Sequence, residues 1–371
     1  MDLSLEDLKI IRMSRSKLKG KVISPGILRN LIHVFESVDQ AFLHLQKFLD
    51  ANGSSIATEV EIEKELSKVK NFGAKIITHK SRSYPRILKL IPDYPLVLTY
   101  LGNIDLINQK VFGIVGSRNA SHMGQSFATK ISSELVSYGF VVISGLARGI
   151  DTSAHMGAIK STIAVMAGGI DHIYPQENLN LYQKISDQGL IITENKIGHN
   201  PIAIDFRARN RIIAGVALGV CVVEAAKLSG SLVTARFALE YNRDVFAVPG
   251  QPLDPRSFGT NSLILDGAYM VNSIEDIIRN LNDINNVLDI NKNMVVQESF
   301  GKVDLFNINA NSYKTVLDIL NFNPTSIEMI HNYSRMELRV LHLILLELEL
   351  TDKVKRYSGN KFALNSLSEF E

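Results

Sequence analysis

The chain has 371 residues, 46% of them apolar and 21% charged, with 24 Gly, 10 Pro, one Cys and no Trp. That composition excludes a disordered, collagenous or disulfide-stapled protein and leaves room for two or three domains, each with its own core. The formal net charge of +2 identifies no partner by itself, and Cys221 has no internal mate, which fits a reducing compartment.

The N-terminal MDLSLEDLK carries acids where a signal peptide would carry bases. The longest apolar run, residues 212–223, spans 12 positions, short of the ~20 that a spanning helix needs. A cytoplasmic protein with no membrane partner is the expectation. Divided by organisation, the charge is uneven. Residues 1–110 hold 17 bases and 12 acids, residues 111–273 hold 13 and 12, and residues 274–371 hold 10 and 14.

In chain order, the pattern predicts helices over 3–11, 26–35, 38–49 and 56–71, a helical domain spanning residues 1–79. Arg12, Arg15, Lys17, Lys19, Lys21 and Arg29 occur with no acid among residues 8–35, a pattern read first as a solvated face. Residues 80–110 contain Tyr84-Pro85, Pro92 and Tyr94-Pro95, so an extended connector is expected there. From Val111 short Val/Ile-rich runs recur at 111–115, 141–144, 162–166, 190–193, 219–223, 245–248 and 269–271. Most are separated by helix-length stretches, among them 123–138, 151–160, 179–188 and 232–241. Continuous apolar strands of this kind are buried on both faces, as in a parallel sheet with helices on either side. The fold class expected for residues 80–280 is therefore an α/β, doubly wound, mostly parallel Rossmann-like sheet. Residues 281–311 are Asn-rich and aperiodic, a linker. Residues 312–371 predict helices at 312–320, 326–331 and 336–347 and a hairpin turning at Ser358-Gly359-Asn360, the order of a winged helix.

In an open parallel sheet, ligands bind beyond the carboxyl ends of the strands. Three glycine-bearing corners stand there: Gly116-Ser117-Arg118 leading to Ser121, Ser144-Gly145-Leu146-Ala147-Arg148, and Lys227-Leu228-Ser229-Gly230-Ser231. Glycine admits a close approach to the backbone, helix N-termini favour anions, and Arg grips phosphate with two bonds. Arg207, Arg209 and Arg211 flank Asn210 in a fourth basic segment. The expectation is a phosphate-lined crevice, with Tyr174 and Phe206 as candidate stacking platforms. A dinucleotide site lacks its G-x-G-x-x-G and its ribose acid, a P-loop is missing, and His122, His155 and His172 lack partners at metal-ligand spacing. No cofactor or metal is expected, and no nucleophile–base–orienter set emerges. Asp151 and His155, four apart on one helix, are read as a local hydrogen bond before catalysis.

These motifs resemble the DNA-processing protein A family, DprA or Smf. The stretches are VFGIVGSR at 111–118, VVISGLARGID at 141–151, TIAVMAGGID at 162–171, YPQEN at 174–178, RNRIIAG at 209–215, VVEA at 222–225, SGSLVTA at 229–235 and FAVPG at 246–250. The resemblance implies a SAM-like helical head, a winged-helix tail and a non-enzymatic, homodimeric single-stranded DNA binder that protects the strand and helps load RecA recombinase during DNA uptake and recombination. It implies DNA phosphate contacts at Gly116, Ser117, Arg118, Gly145, Arg148, Arg209, Asn210, Arg211, Ser229, Gly230 and Ser231. Lys227 stands one position from the family's usual basic residue, and Arg207 replaces a common Pro. The alternative is a nucleotide phosphoribohydrolase of the lysine-decarboxylase-like group, whose P-G-G-x-G-T this chain lacks. A further alternative is duplex recognition by the tail's third helix, with its Arg335, Glu337, Arg339 and Glu347.

Overall fold

A computed structural model of the chain describes residues 3–281, 308–357 and 359–365. The chain opens with α1 (Leu5–Arg15), a two-residue ribbon of β1 (Lys17–Leu18) and β2 (Lys21–Val22), α2 (Pro25–Phe35) and α3 (Val38–Ala51). Each helix starts where a serine hydroxyl accepts from the first turn: Ser4 from Asp7, Ser24 from Ile27, and Ser37 from Gln40.

Then come α4 (Glu59–Asn71), β3 (Lys75–Thr78), β4 (Val97–Gly102), β5 (Val111–Val115), α5 (His122–Ser137), β6 (Val141–Ser144), α6 (Ile150–Gly157), β7 (Thr162–Val165), α7 (Leu179–Gln188) and β8 (Leu190–Thr193). The succession continues with α8 (Ala203–Val216), β9 (Gly219–Val222), α9 (Gly230–Glu240), β10 (Asp244–Ala247), α10 (Phe258–Leu265), β11 (Tyr269–Met270) and α11 (Ile274–Asn280). The nine strands β3–β11 form one sheet in the order β11-β10-β9-β5-β6-β7-β8-β4-β3. Strands β5 to β11 pair in parallel, while β4 and β3 close one edge antiparallel.

Alternate side chains of β5 enter two cores. Val111 and Val115 join Ile212 and Ile213 of α8 on one face, and Phe112 and Ile114 join Ile131 and Leu135 of α5 on the other. The doubly wound, mostly parallel sheet expected from the Val/Ile runs is present. It begins at Lys75, before the position 80 expected, because the stretch read as an unbroken connector contains β4 just after Tyr94-Pro95.

The tail consists of α12 (Ala310–Ile319), β12 (Thr325–Ser326), α13 (Ile327–Ser334), α14 (Leu338–Leu350), β13 (Val354–Tyr357) and β14 (Lys361–Leu364). The hairpin pairs Val354 with Leu364 and Tyr357 with Lys361, and β12 adds a third strand, giving a winged helix. The Asn-rich stretch lies largely outside the described residues, as does Ser358 of the hairpin turn.

Head and tail cluster into one compact unit, Leu3–Glu59 with Val296–Glu371, and the sheet forms the other. Inside the first unit the tail's third helix, α14, packs on α2. Arg339, 7% exposed, donates through Nε to the Val34 carbonyl, and Glu347 takes the Tyr313 hydroxyl and lies 2.7 Å from His44 Nε2. Two of the four charged residues that could have read a DNA groove are therefore spent inside the protein. Among the described residues no helix is long and apolar enough to cross a membrane.

Candidate nucleic-acid interface

From β5 the chain steps through β6, β7 and β8 in one direction, then returns to lay β9 on the other side of β5. The order reverses between β5 and β9, so a crevice opens beyond their carboxyl ends, the place where such sheets bind ligands. The first two glycine corners meet there, and the third is tied to α8 through Asn210. Arg118, Gly145, Ala147, Arg148, Tyr174, Pro175, Phe206 and Arg209 line one open recess with an enclosed volume of only about 20 Å³.

Its rim is cationic and flat. Arg118 is exposed, forms no ion pair among the described residues, and sets its guanidinium 5.3 Å from the Phe206 ring centre. Tyr174 is 50% exposed and meets Phe206 edge-on, centroids 5.4 Å apart. Arg148 is exposed and reaches only a marginal 4.0 Å pairing with Glu177. Arg207 is exposed on the first turns of α8.

Beneath the rim the groups hold one another. Arg209 is 5% exposed and donates to the carbonyls of Gly145 and Val165, and its guanidinium occupies the space that a Cβ on Gly145 would need. Burial lowers its pKa to about 10, against the opposing pull of Asp151. Asp151 accepts from Gly145 N at 3.1 Å and Ala147 N at 3.4 Å; burial raises its carboxyl, and Arg209 and those amides offset part of that. His155 is fully buried, accepts from Leu146 N at 3.3 Å and sits 2.7 Å from Thr162 Oγ1. Burial, then Arg209, lowers it to about 3, so it is neutral at physiological pH. Asp151 and His155 thus pin the Gly145–Ala147 corner from below, each to its own amides, and do not form the pair that their spacing suggested.

Three expectations change. Arg209 is a buried strut that shows the recess one edge. Arg211 leaves the crevice altogether: it is 5% exposed, joined to Glu194 and, at 3.3 Å, to Asp93. Gly116 serves packing, since a Cβ there would lie 2.7 Å from Ile150 Cγ1.

The anion expected at the N-terminus of α5 is already supplied by the protein. Glu224, at the end of β9 with φ +67°, accepts from Ser121 N at 2.9 Å and takes the Ser121 hydroxyl, while that oxygen accepts from Gly124 N at 3.0 Å. A Cβ on Gly124 would fall 2.6 Å from Glu224 Oε1. Sequence reading missed Glu224 because its partner stands 103 positions away.

The remaining residues flank the recess. Ser117 accepts from Asn119 N at 3.1 Å within its own turn. Asn210 donates to the Gly230 carbonyl at 3.2 Å, tying α8 to the third corner. There Ser229 caps α9, its hydroxyl 2.7 Å from that of Ser231, and Gly230 has open space around it. Lys227 lies over the Phe258 ring at 5.4 Å.

Comparisons with known proteins bear on this geometry. The profile of the DNA recombination-mediator protein A family matches residues 75–282, and that of the DprA winged helix domain matches residues 309–360. DNA processing protein DprA of Streptococcus pneumoniae is 37% identical over 284 residues, 73% of this chain and 98% of that protein. Its solved structure superposes with a TM-score of 0.63 at 33% identity, over 76% of this chain and 99% of that one. Protein Smf of Synechocystis is 41% identical over 217 residues, which are 57% of this chain but only 54% of that relative. A structure of DNA processing protein A from Helicobacter pylori, described for its single-stranded DNA binding mode, gives a TM-score of 0.52 at 30% identity, over 56% of this chain and 95% of that one.

Proposed function

Because the chain belongs to the DNA recombination-mediator protein A family, DprA, we propose that the rim of its switch-point crevice binds single-stranded DNA. The observation that carries this reading is the exposed Arg118 guanidinium over Phe206 and beside Tyr174, with no carboxylate claiming it among the described residues. Sequence-tolerant binding of a single strand needs cations that follow the backbone and rings on which bases stack, and this rim offers both. Arg118 and Arg148 are the primary phosphate contacts. Arg207, Lys227 and the amides around Gly230 extend them, and Gly145, Arg209 and Asn210 hold the corners in place.

The role is non-catalytic. The buried acid and base at these strand ends, Asp151 and His155, are committed to backbone amides below the surface. The enclosed part of the recess holds only about 20 Å³, far below the ~300–1,000 Å³ of enclosed small-ligand sites, which disfavours the phosphoribohydrolase alternative. Protection of the strand, its handover to RecA recombinase during DNA uptake and recombination, homodimerisation and a cytoplasmic location belong to the same proposal, resting on family membership.

The test is salt-titrated fluorescence anisotropy with an oligo-dT and a duplex of equal length. Each phosphate contact to a single strand contributes a slope of about −0.7 in log K against log salt, or about 5-fold in affinity at 0.1 M. Arg118→Ala is expected to weaken the oligo-dT complex by about that factor and leave the unfolding midpoint in place. Salt-insensitive binding, or release of free base from a nucleoside monophosphate, would overturn the assignment.

A further inference from the structure

The connection between β3 and β4 carries a second cationic surface away from the crevice. No acid occurs between Lys75 and Asp93, while Arg82, Arg86 and Lys89 all do. The segment folds into tight turns, Tyr84 N bonding Ser81 O and Leu88 N bonding Pro85 O, with a short 3-10 helix over Ile87–Leu90. Residues three apart eclipse in such a helix, which brings Arg86 and Lys89 to one side. All three cations are exposed, and none forms an ion pair among the described residues. Partial burial, and then the charges of Lys80 and Arg86, lower the Lys89 ammonium, so these groups already repel one another. Arg243, 6% exposed, donates to the Ile87 carbonyl at 3.4 Å, and its Nε has no partner among the described residues.

Helix α8 links this surface to the crevice. Positions 207, 211 and 215 fall along one of its faces. Gly215 abuts Leu88 and Ile91, Arg211 binds Asp93, and Arg207 stands exposed at the crevice end of that row. Eight residues of helix rise about 12 Å, roughly the reach of four stacked phosphates at about 3.4 Å each.

We propose that Arg82, Arg86 and Lys89 form a second contact for the phosphate backbone, which a strand leaving the crevice past Arg207 engages. The inference rests on the reading of the crevice as a single-stranded DNA site. Tyr84 beneath the surface is buried, so the contact reads charge alone, without stacking.

The experiment uses the full chain with oligo-dT of roughly 4 and roughly 20 nucleotides, the lower end of a single-module footprint of about 4–16 and a length beyond it. The variant Arg82→Gln/Arg86→Gln/Lys89→Gln should lower affinity for the longer strand on the order of 100-fold at 0.1 M salt and flatten its salt slope by about 2. The shorter strand should bind it as it binds the native chain, and Arg82→Lys/Arg86→Lys should retain the long-strand affinity. Unchanged affinity for the longer strand, or equal losses for both lengths, overturns the second contact and leaves the crevice assignment standing. Failure of the native chain to bind either strand overturns both.

Discussion

Replacing Arg209 with alanine removes a buried guanidinium from two carbonyls and from the neighbourhood of a buried carboxylate. The Gly145 and Val165 oxygens lose their donor, at about 1–3 kcal/mol for each group left unsatisfied. Asp151 loses the cation that offsets its burial, and breaking a buried pair from one side costs about 3–5 kcal/mol. These contributions overlap, so the expected loss is about 4 kcal/mol, a large part of the ~5–15 kcal/mol that holds a domain together. Urea unfolding of the full chain, followed by far-UV circular dichroism through the transition of the sheet-bearing unit, measures it. The double variant Arg209→Ala/Asp151→Asn should be less damaged than the sum of its parts by about 1–3 kcal/mol, because no orphaned carboxylate remains. The reasoning is refuted if Arg209→Ala costs under about 1 kcal/mol while weakening oligo-dT as Arg118→Ala does, for the guanidinium would then serve the DNA and not the fold.

His155 is held neutral with a pKa of about 3 against the ordinary 6.5. Its contribution is therefore complete above pH 6.5 and drains away at about 1.4 kcal/mol per pH unit as the pH falls toward 3. Asp151, raised above 3.8, has the opposite sign; the difference between native and His155→Gln unfolding curves isolates the histidine, and parallel curves would refute the assignment. Gly116→Ala should cost about 1–3 kcal/mol by forcing a methyl onto Ile150, whereas Gly230→Ala, with open space around it, should stay within about 0.5 kcal/mol; thermal melts compare the two. Arg339→Ala should destabilise the head–tail unit by about 1.5–3 kcal/mol through the lost bond to Val34 O and leave oligo-dT affinity intact. A loss of duplex binding without loss of stability would restore the groove-reading role to α14.

The sheet was legible because its strands are apolar runs that need both faces covered, and β5, β6 and β8 fall on the residues that the pattern predicts. Strand β4 was hidden by the prolines before it, since Tyr94-Pro95 marks an extended chain without saying that it joins a sheet. The arginine cluster was legible as charge and misleading as direction. Arg209 lies three and four residues before Ile212 and Ile213, both buried, so a helix carries all three toward the core. That periodicity could have separated Arg209 from exposed Arg207 had the segment been read as a helix. Nothing local marks Arg211 for Asp93, Glu224 for Ser121, or α14 for the head, because these partners meet only when distant segments pack.

The carboxylate of Glu224 fills the seat where sheets of this architecture would lodge a small ligand's terminal phosphate. With that helix terminus occupied from within, a strand bound as proposed meets the cationic rim instead and lies across it. Such a cradle can clasp a polymer in mid-length, so a gap flanked by duplex or a closed circle is as admissible a guest as a linear fragment.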